Sequence, residues 1–124
     1  MLTSKPVNPT LPAADLKRAR EFYEGKLGFK PTKESADDVT YEAGGGTKLY
    51  IWQREGDQTD HTEAAFDVND IEREVGELKE RGVKFESYDM PGLKTDENNI
   101  ATMDGSRSAW FKDTEGNIIA IVQM

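Results

Sequence analysis

Two segments of the chain repeat their apolar residues at the spacing of an amphipathic helix. The first, "DLKRAREFYEGKLGF", begins at Asp15, which can cap a helix, and ends beside Gly28, which suits a left-handed stop. Its apolar residues form one stripe, which consists of Leu16, Ala19, Phe22, Tyr23 and Leu27. The pattern therefore predicts a helix with one buried face.

The second helical segment, "NDIEREVGELKERGV", has the same layout. Asn69 or Asp70 can cap it, and Gly82 can stop it. Glu77 and Arg81 are spaced as an i,i+4 pair. Its apolar stripe consists of Ile71, Val75 and Leu78.

Strand patterns account for most of the remaining chain. Two of them, in "WFKDTEGNIIAIVQM", are joined by a turn typical of a β-hairpin. The glycine-rich "EAGGGTKL" joins two others without a following helix, which favours a hairpin turn over a phosphate-binding loop. The predicted strands are residues 6–12, 29–33, 38–43, 47–54, 62–68, 83–88, 107–112 and 117–123.

The two halves of the chain repeat one order of elements: strand, helix, then three strands. Aligning Asp15 on Asp70 gives an offset of 55, which places Asn8 over Glu63. Aligning the turn glycines Gly46 and Gly116 gives an offset of 70, which places Tyr50 over Ala120. The sequence thus predicts a single α+β domain, residues 1–124, built from repeat units at about 6–54 and 62–124.

This duplicated order, the helix "ADLKRAREFYEGKLGF", the segment "FDVNDIEREVGELKERGV" and the hairpin "AWFKDTEGNIIAIV" resemble the glyoxalase, bleomycin-resistance and extradiol-dioxygenase superfamily, also called vicinal oxygen chelate proteins. The resemblance covers nearly the whole chain. It implies βαβββ units whose sheet curls into a cup. It says little about which reaction, if any, the protein catalyses.

The resemblance also implies where a metal would bind. Metal-dependent members take His, Gln or Glu ligands from the first and fourth strands of each unit. The corresponding positions here are Asn8, Tyr50, Glu63 and Ala120. Since Ala120 has no lone pair and only Glu63 is an ordinary ligand, we expect no cofactor. One alternative is a divalent metal held by His61 and Glu63, which would share one strand face in a shifted register. The other reading of His61 is a solvated residue in a surface loop.

Strand alternation selects the side chains that would line the cup. The expected ligand-binding residues are Asn8, Thr10, Lys48, Tyr50, Trp52, Glu63, Trp110 and Ala120. Tyr50 and Trp52 could equally be core residues. Glu63 needs a cationic partner, water or a proton, with Lys48, Arg107 or a ligand as the source of charge. Glu63 is also a candidate catalytic base, or merely part of a rim salt bridge.

The segment "SYDMPGLKTDENNIATMDGS" is long for a connection inside a compact domain. Its Met90 and Leu93 flank a Pro91-Gly92 turn, which suits either a flap over an apolar pocket or a plain surface loop.

The composition of the chain limits the classes of molecule that the protein is expected to bind. A formal net charge of −8 disfavours nucleic acid and anionic membranes, and no segment has the length and apolarity of a membrane span or signal peptide. The absence of cysteine excludes disulfides and thiolate chemistry. We therefore expect a soluble cytoplasmic protein.

The favoured function is metal-independent binding of a small molecule, to sequester an antibiotic or sense a metabolite. The expected ligand is a flat, apolar or aromatic compound with a positive group, because Tyr50 and Trp52 offer ring faces and Glu63 a counter-charge. The alternative is a lyase, isomerase or dioxygenase of the same superfamily with an atypical metal site or Glu63 as base. A third is a structural partner subunit. We also expect a homodimer.

Overall fold

A computed structural model describes residues 1–4, 7–55, 60–103 and 105–124 of the chain. The chain forms two compact units, Met1–Asp57 and Gln58–Met124. The first residue of the predicted strand 6–12, part of the predicted loop "GDQTDHT" and Asp104 of the predicted flap segment lie outside the described residues.

The first unit places one helix against a four-stranded mixed sheet. After a 3-10 turn at Leu2–Ser4, its elements are β1 (Thr10–Ala13), α1 (Leu16–Arg20), β2 (Pro31–Glu34), β3 (Asp38–Glu42) and β4 (Lys48–Gln53). The strand order is β1-β4-β3-β2, with β1 parallel to β4 and the other pairs antiparallel. A 3-10 turn at Gly44–Gly46 joins β3 to β4, so the predicted hairpin turn is confirmed.

The second unit has the same plan with one addition. Its elements are β5 (Thr62–Asp67), α2 (Ile71–Glu80), β6 (Asp89–Met90), β7 (Leu93–Lys94), β8 (Ala101–Met103), β9 (Ser106–Lys112) and β10 (Ile118–Gln123). The sheet order is β5-β10-β9-β8, with β5 parallel to β10. The added β6 and β7 form a separate two-stranded hairpin. The predicted fold class of duplicated βαβββ units with mixed sheets is confirmed.

Both predicted helices form, and both begin where predicted. The carboxylates of Asp15 and Asp70 accept hydrogen bonds from the backbone N–H groups of Arg18 and Arg73, at 3.1 and 3.2 Å. The first helix continues beyond α1 as a π-helical segment, Glu21–Lys26, which the apolar spacing does not predict. Among the described residues, no helix is long and apolar enough to span a membrane.

A glutamine at the end of each unit's last strand also caps that unit's helix. Gln53 Oε1 accepts a hydrogen bond from the Leu16 N–H at 2.8 Å, and Gln53 Nε2 donates to the Ala14 carbonyl. Gln123 Oε1 accepts from the Ile71 N–H, also at 2.8 Å. Because 71 − 16 is 55 and 123 − 53 is 70, the paired caps repeat both sequence offsets.

Two expectations for the second unit are wrong. Residues 83–88 form no strand: Phe85 makes a single bridge to Phe111, and the Glu86 N–H donates to the Trp110 carbonyl at 2.7 Å. Residues 106–108 of β9, on the same edge, pair with β8 instead. The predicted loop therefore contains strands β6, β7 and β8, and buries Ile100 and Ala101.

The second helix also differs in its surface ion pair. Arg73 Nε lies 3.0 Å from Glu77 Oε1, so Glu77 pairs one turn toward the N-terminus rather than with Arg81 as the sequence suggests. Both side chains are largely exposed, so solvent and salt screen this pair and it contributes little to stability.

Candidate functional site

The first sheet has one face against α1 and one face away from it, which we call the open face. Leu49 and Ile51 are buried on the helix side, at 1% and 0% exposure. The alternating residues of β4 therefore lie on the open face: Lys48, Tyr50 and Trp52. This is the arrangement that the sequence predicts for this strand.

A groove of about 480 Å³ crosses the open face over strands β2, β3 and β4. Its polar lining includes Lys33, Asp38, Thr40, Glu42, Lys48 and Tyr50. Thr40 is its buried member, at 8% exposure. With Thr32 as a further lining residue, the groove therefore combines two ammonium groups, two carboxylates, two threonine hydroxyls and a phenol.

One row across the groove carries only hydrogen-bond donors and hydroxyl groups. Lys33 pairs in register with Thr40, Thr40 with Tyr50, and Tyr50 with Thr10 of β1. Directly opposed residues on adjacent strands share a face, with their Cβ atoms about 4.5–5.5 Å apart. The row therefore places an ammonium group and three hydroxyl groups side by side.

The neighbouring row contains the exposed ring of Trp52. Trp52 is opposite Asp38 and Pro12, and its side chain is 39% exposed. The guanidinium carbon of Arg54 lies 5.6 Å from the centroid of the Trp52 ring, a cation–π distance. A cationic ligand group at this ring would therefore compete with the chain's own Arg54.

The side-chain oxygen of Asn8 makes a structural hydrogen bond at the end of the open face. Asn8 Oδ1 accepts a hydrogen bond from the Lys48 backbone N–H at 2.8 Å. This bond ties the segment before β1 to the start of β4.

The corresponding row of the second sheet consists of two alanines and a tryptophan. Ala65, Ala120 and Trp110 are opposed across β5, β10 and β9. The ring of Tyr88 meets the Trp110 ring edge to face at 5.5 Å between centroids, and burial raises the pKa of Tyr88. Ala120 is only 3% exposed, so its methyl group is covered. Phe111 contacts Phe85 instead, so Trp110 and Phe111 face opposite sides of the sheet, as adjacent residues of a strand do.

Glu63 lies at an irregularity in β5 that the sequence does not signal. Thr62 pairs with Ile118 and Ala64 with Ile119, so Glu63 is the extra residue of a β-bulge. Bulges re-aim side chains, which removes the simple alternation on which its predicted direction depends. Glu63 is half-buried.

Arg107 is not the expected counter-charge for Glu63. Its guanidinium Nη2 lies 2.5 Å from Glu72 Oε1 on α2, because Arg107 is in register with Gln123 on the helix side of the sheet. His61 is exposed at a bend directly before β5.

The donor set does not fit the metal that the family resemblance implies. Ala120 offers a methyl group, and the oxygen of Asn8 already accepts the Lys48 N–H. In the described ranges, no group of three or more His, Asp or Glu side chains could hold a metal ion. The four positions that the resemblance indicates therefore do not supply the three protein donors that a metal site needs.

A second cavity of the first unit, of about 780 Å³, lies beside α1. Arg20 on its wall contacts Glu24 at 2.6 Å and Glu34 at 2.7 Å. The buried Tyr41 hydroxyl donates to Glu24 Oε2 at 2.9 Å. The Arg20 hydrogen bond lowers the pKa of Glu24, whereas burial and the Glu24 carboxylate raise the pKa of Tyr41. These contacts fix the π-helical segment to β3.

The duplicated βαβββ units and the polar, ring-bearing sheet face define the class of protein. The model of the Glyoxalase/Bleomycin resistance protein/Dioxygenase superfamily matches residues 6–121, so the chain belongs to that superfamily. No curated protein sequence matches this chain.

Solved structures show the same fold at low sequence identity. A glyoxalase family protein from Enterococcus faecalis is 21% identical, with a TM-score of 0.74 over 98% of this chain and 99% of that one. TnmS3, an antibiotic binding protein from Streptomyces sp. CB03234, is 20% identical, with a TM-score of 0.66 over 99% and 98%. Fosfomycin resistance protein FosX from Mesorhizobium loti is 17% identical, with a TM-score of 0.65 over 98% and 92%.

The sequence pattern does not indicate the groove residues outside β1 and β4. Lys33 joins the open face through the register of the β2–β3 pair, which slips between Pro31 and Lys33. Asp38 and Thr40 join it by pairing with Trp52 and Tyr50 of β4. The spacing of residues 29–33 and 38–43 predicts a hairpin, but one slipped residue exchanges the faces of the strand.

Proposed function

We propose that this protein is a metal-independent small-molecule binding protein that sequesters or senses an apolar or aromatic ligand. The observation that carries this proposal is the pair of rings at Tyr50 and Trp52 on the open face, beside a groove of about 480 Å³. A ring-bearing groove with a few polar groups is the usual build of a small-molecule site. Thr10 and Lys48, which lie on the same face, are part of the proposed site.

The aromatic residues support binding because they are incompletely covered. Trp52 is 39% exposed and Tyr50 is half-buried, while the core ring of Tyr41 is fully buried. An exposed indole that stacks on a flat ligand exchanges water for ring contact. Antibiotic binding by TnmS3, a protein of the same fold, fits a role of this kind.

The test is isothermal titration calorimetry with the neutral probe 2-naphthalenemethanol. Loss of one stacking ring costs about 1–3 kcal/mol, so Trp52→Ala should weaken binding about five- to a hundredfold. Trp52→Phe retains a ring and serves as the matched control, with a smaller loss expected. Equal affinity of the wild-type protein and Trp52→Ala would show that Trp52 is only structural.

Elemental analysis of the same samples tests the metal-independent part. Protein purified without added metal should contain far less than one equivalent of zinc, nickel, iron or manganese, and a chelator should leave the melting temperature unchanged. Stoichiometric metal would instead support the enzymatic alternative.

A further inference from the structure

We propose that the open face of the first sheet binds an oxyanion, such as a carboxylate or sulfonate, through Lys33, Thr40 and Tyr50. The ring that carries this group lies against Trp52. The inference rests on the proposed function and reverses the ligand charge that the sequence suggests. It identifies the ligand as an aromatic or apolar acid.

The donor row supplies the geometry for such a group. Lys33, Thr40 and Tyr50 are opposed across three adjacent strands, and all three line the same groove. An ammonium group and two hydroxyl groups can all donate to oxygen, and a carboxylate or sulfonate is an acceptor with several lone pairs. Charge-assisted bonds of this kind are stronger than those between neutral groups.

The carboxylates of the groove lie outside this row. Asp38 and Glu42 are each two residues from Thr40 along β3, about 6–7 Å away. Asp38 Oδ1 also accepts a hydrogen bond from the Ser35 hydroxyl at 2.9 Å, which engages it at the loop. The centre of the groove is therefore left to donor groups.

The charge of the open face is opposite in sign to that of the whole chain. It has three cations, Lys33, Lys48 and Arg54, against the two carboxylates Asp38 and Glu42, whereas the chain carries −8. Within the described residues, neither Lys33 nor Lys48 forms an ion pair with a carboxylate. Counted over these five residues, the open face has one excess positive charge, which favours an anionic ligand over a cationic one.

Three probes that share one ring system test the charge directly: 2-naphthoate, 2-naphthalenemethanol and 2-naphthylmethylammonium, titrated by calorimetry at low salt. We expect 2-naphthoate to bind about tenfold or more tightly than the alcohol, and the ammonium compound to bind most weakly. Raising the salt should reduce the advantage of 2-naphthoate, because the lysines are exposed.

Charge-removing variants locate the site. Lys33→Gln should weaken 2-naphthoate about tenfold and 2-naphthalenemethanol much less, because only the carboxylate loses an opposite charge, and Tyr50→Phe should give a smaller loss in the same direction. Lys84→Gln removes the same charge from an exposed residue of the second unit and should have no comparable effect. Circular dichroism spectra confirm that each variant is folded.

Each result separates this inference from the proposed function. If the alcohol binds and 2-naphthoate binds no more tightly, the oxyanion site is wrong and the binding function stands. If Lys33→Gln and Lys84→Gln weaken 2-naphthoate equally, the anion is held elsewhere and the assignment fails. If none of the three probes binds, both proposals fail.

Discussion

At the scale of single residues, Tyr41 illustrates a buried polar group that requires its partner. Its side chain is fully buried, and its hydroxyl donates to the Glu24 carboxylate at 2.9 Å. Leaving a buried hydrogen-bonding group unsatisfied is costly, while a bond to a charged acceptor contributes about 1.5–3 kcal/mol. The pair Tyr41–Glu24 is therefore a local determinant of stability in the first unit.

We expect Tyr41→Phe to lower the free energy of unfolding by about 1–3 kcal/mol at neutral pH. The Arg20 and Tyr41 hydrogen bonds lower the pKa of Glu24, so they stabilise the fold while this carboxylate is charged. Their contribution is present above the ordinary glutamate value of 4.5 and is lost as the pH falls through the lowered folded value. The difference between Tyr41→Phe and the wild type should thus shrink in acid.

Urea unfolding at about pH 7 and about pH 3 measures this difference. Tyr88→Phe serves as the control, because the Tyr88 ring contacts Trp110 in the second unit, and its effect should not depend on pH in this range. A Tyr41→Phe cost that is the same at both pH values would rule out the coupling to Glu24.

Single-residue predictions from the sequence succeed where periodicity decides them. The helix stripes, the caps Asp15 and Asp70 and the inward Leu49 and Ile51 follow from spacing alone. The role of Arg107 does not follow from spacing, because its partner Glu72 is 35 positions away and belongs to another element. Likewise Arg54 becomes the cation over Trp52 through side-chain conformation, which spacing does not encode.

At the scale of elements, the two glutamine caps connect the last strand of each unit to its helix. Gln53 and Gln123 each accept a helix N-terminal N–H group at 2.8 Å. A helix start leaves several N–H groups without intrahelical partners, so each glutamine supplies one missing acceptor. The equivalence of the two bonds indicates that they are part of the duplicated plan.

Replacing either glutamine with alanine should destabilise the protein by about 0.5–2 kcal/mol, the range measured for loss of a helix cap. Gln53→Ala should cost more, because Gln53 Nε2 also donates to the Ala14 carbonyl. Thermal or urea unfolding measures both effects, with Glu80→Ala, an exposed position on α2, as the control. Losses no larger than that of Glu80→Ala would show that the caps are dispensable.

The sequence predicts most elements but not where strands slip. Seven of the eight predicted strands overlap observed ones, because alternation and turn residues mark them. The shifts at Pro31/Lys33 and at Ile118/Ile119 leave no such mark, yet they determine the faces of Lys33 and Glu63. The candidate site is therefore the part of the molecule that pattern analysis predicts least well.

At the scale of the whole molecule, we expect a homodimer. The outermost strands of the two sheets, β1 and β2 in one and β5 and β8 in the other, have edges that proteins usually cover. Light scattering at micromolar concentration should give about twice the chain mass of 13.9 kDa. A repeat at tenfold dilution reports dissociation, and a clean monomer at both concentrations would contradict the prediction.

The parallel pairing of β1 with β4 affects how the first unit folds during synthesis. Thr10 pairs with Tyr50, so 50 − 10, or 40, further residues must be translated before this strand has its partner. At roughly 5–20 residues per second, that interval lasts a few seconds. Meanwhile Leu11 and Ala13, which are fully buried in the finished unit, emerge from the ribosome without their sheet. The buried side of β1 thus stays without its sheet partner until the chain has been synthesised as far as Gln53.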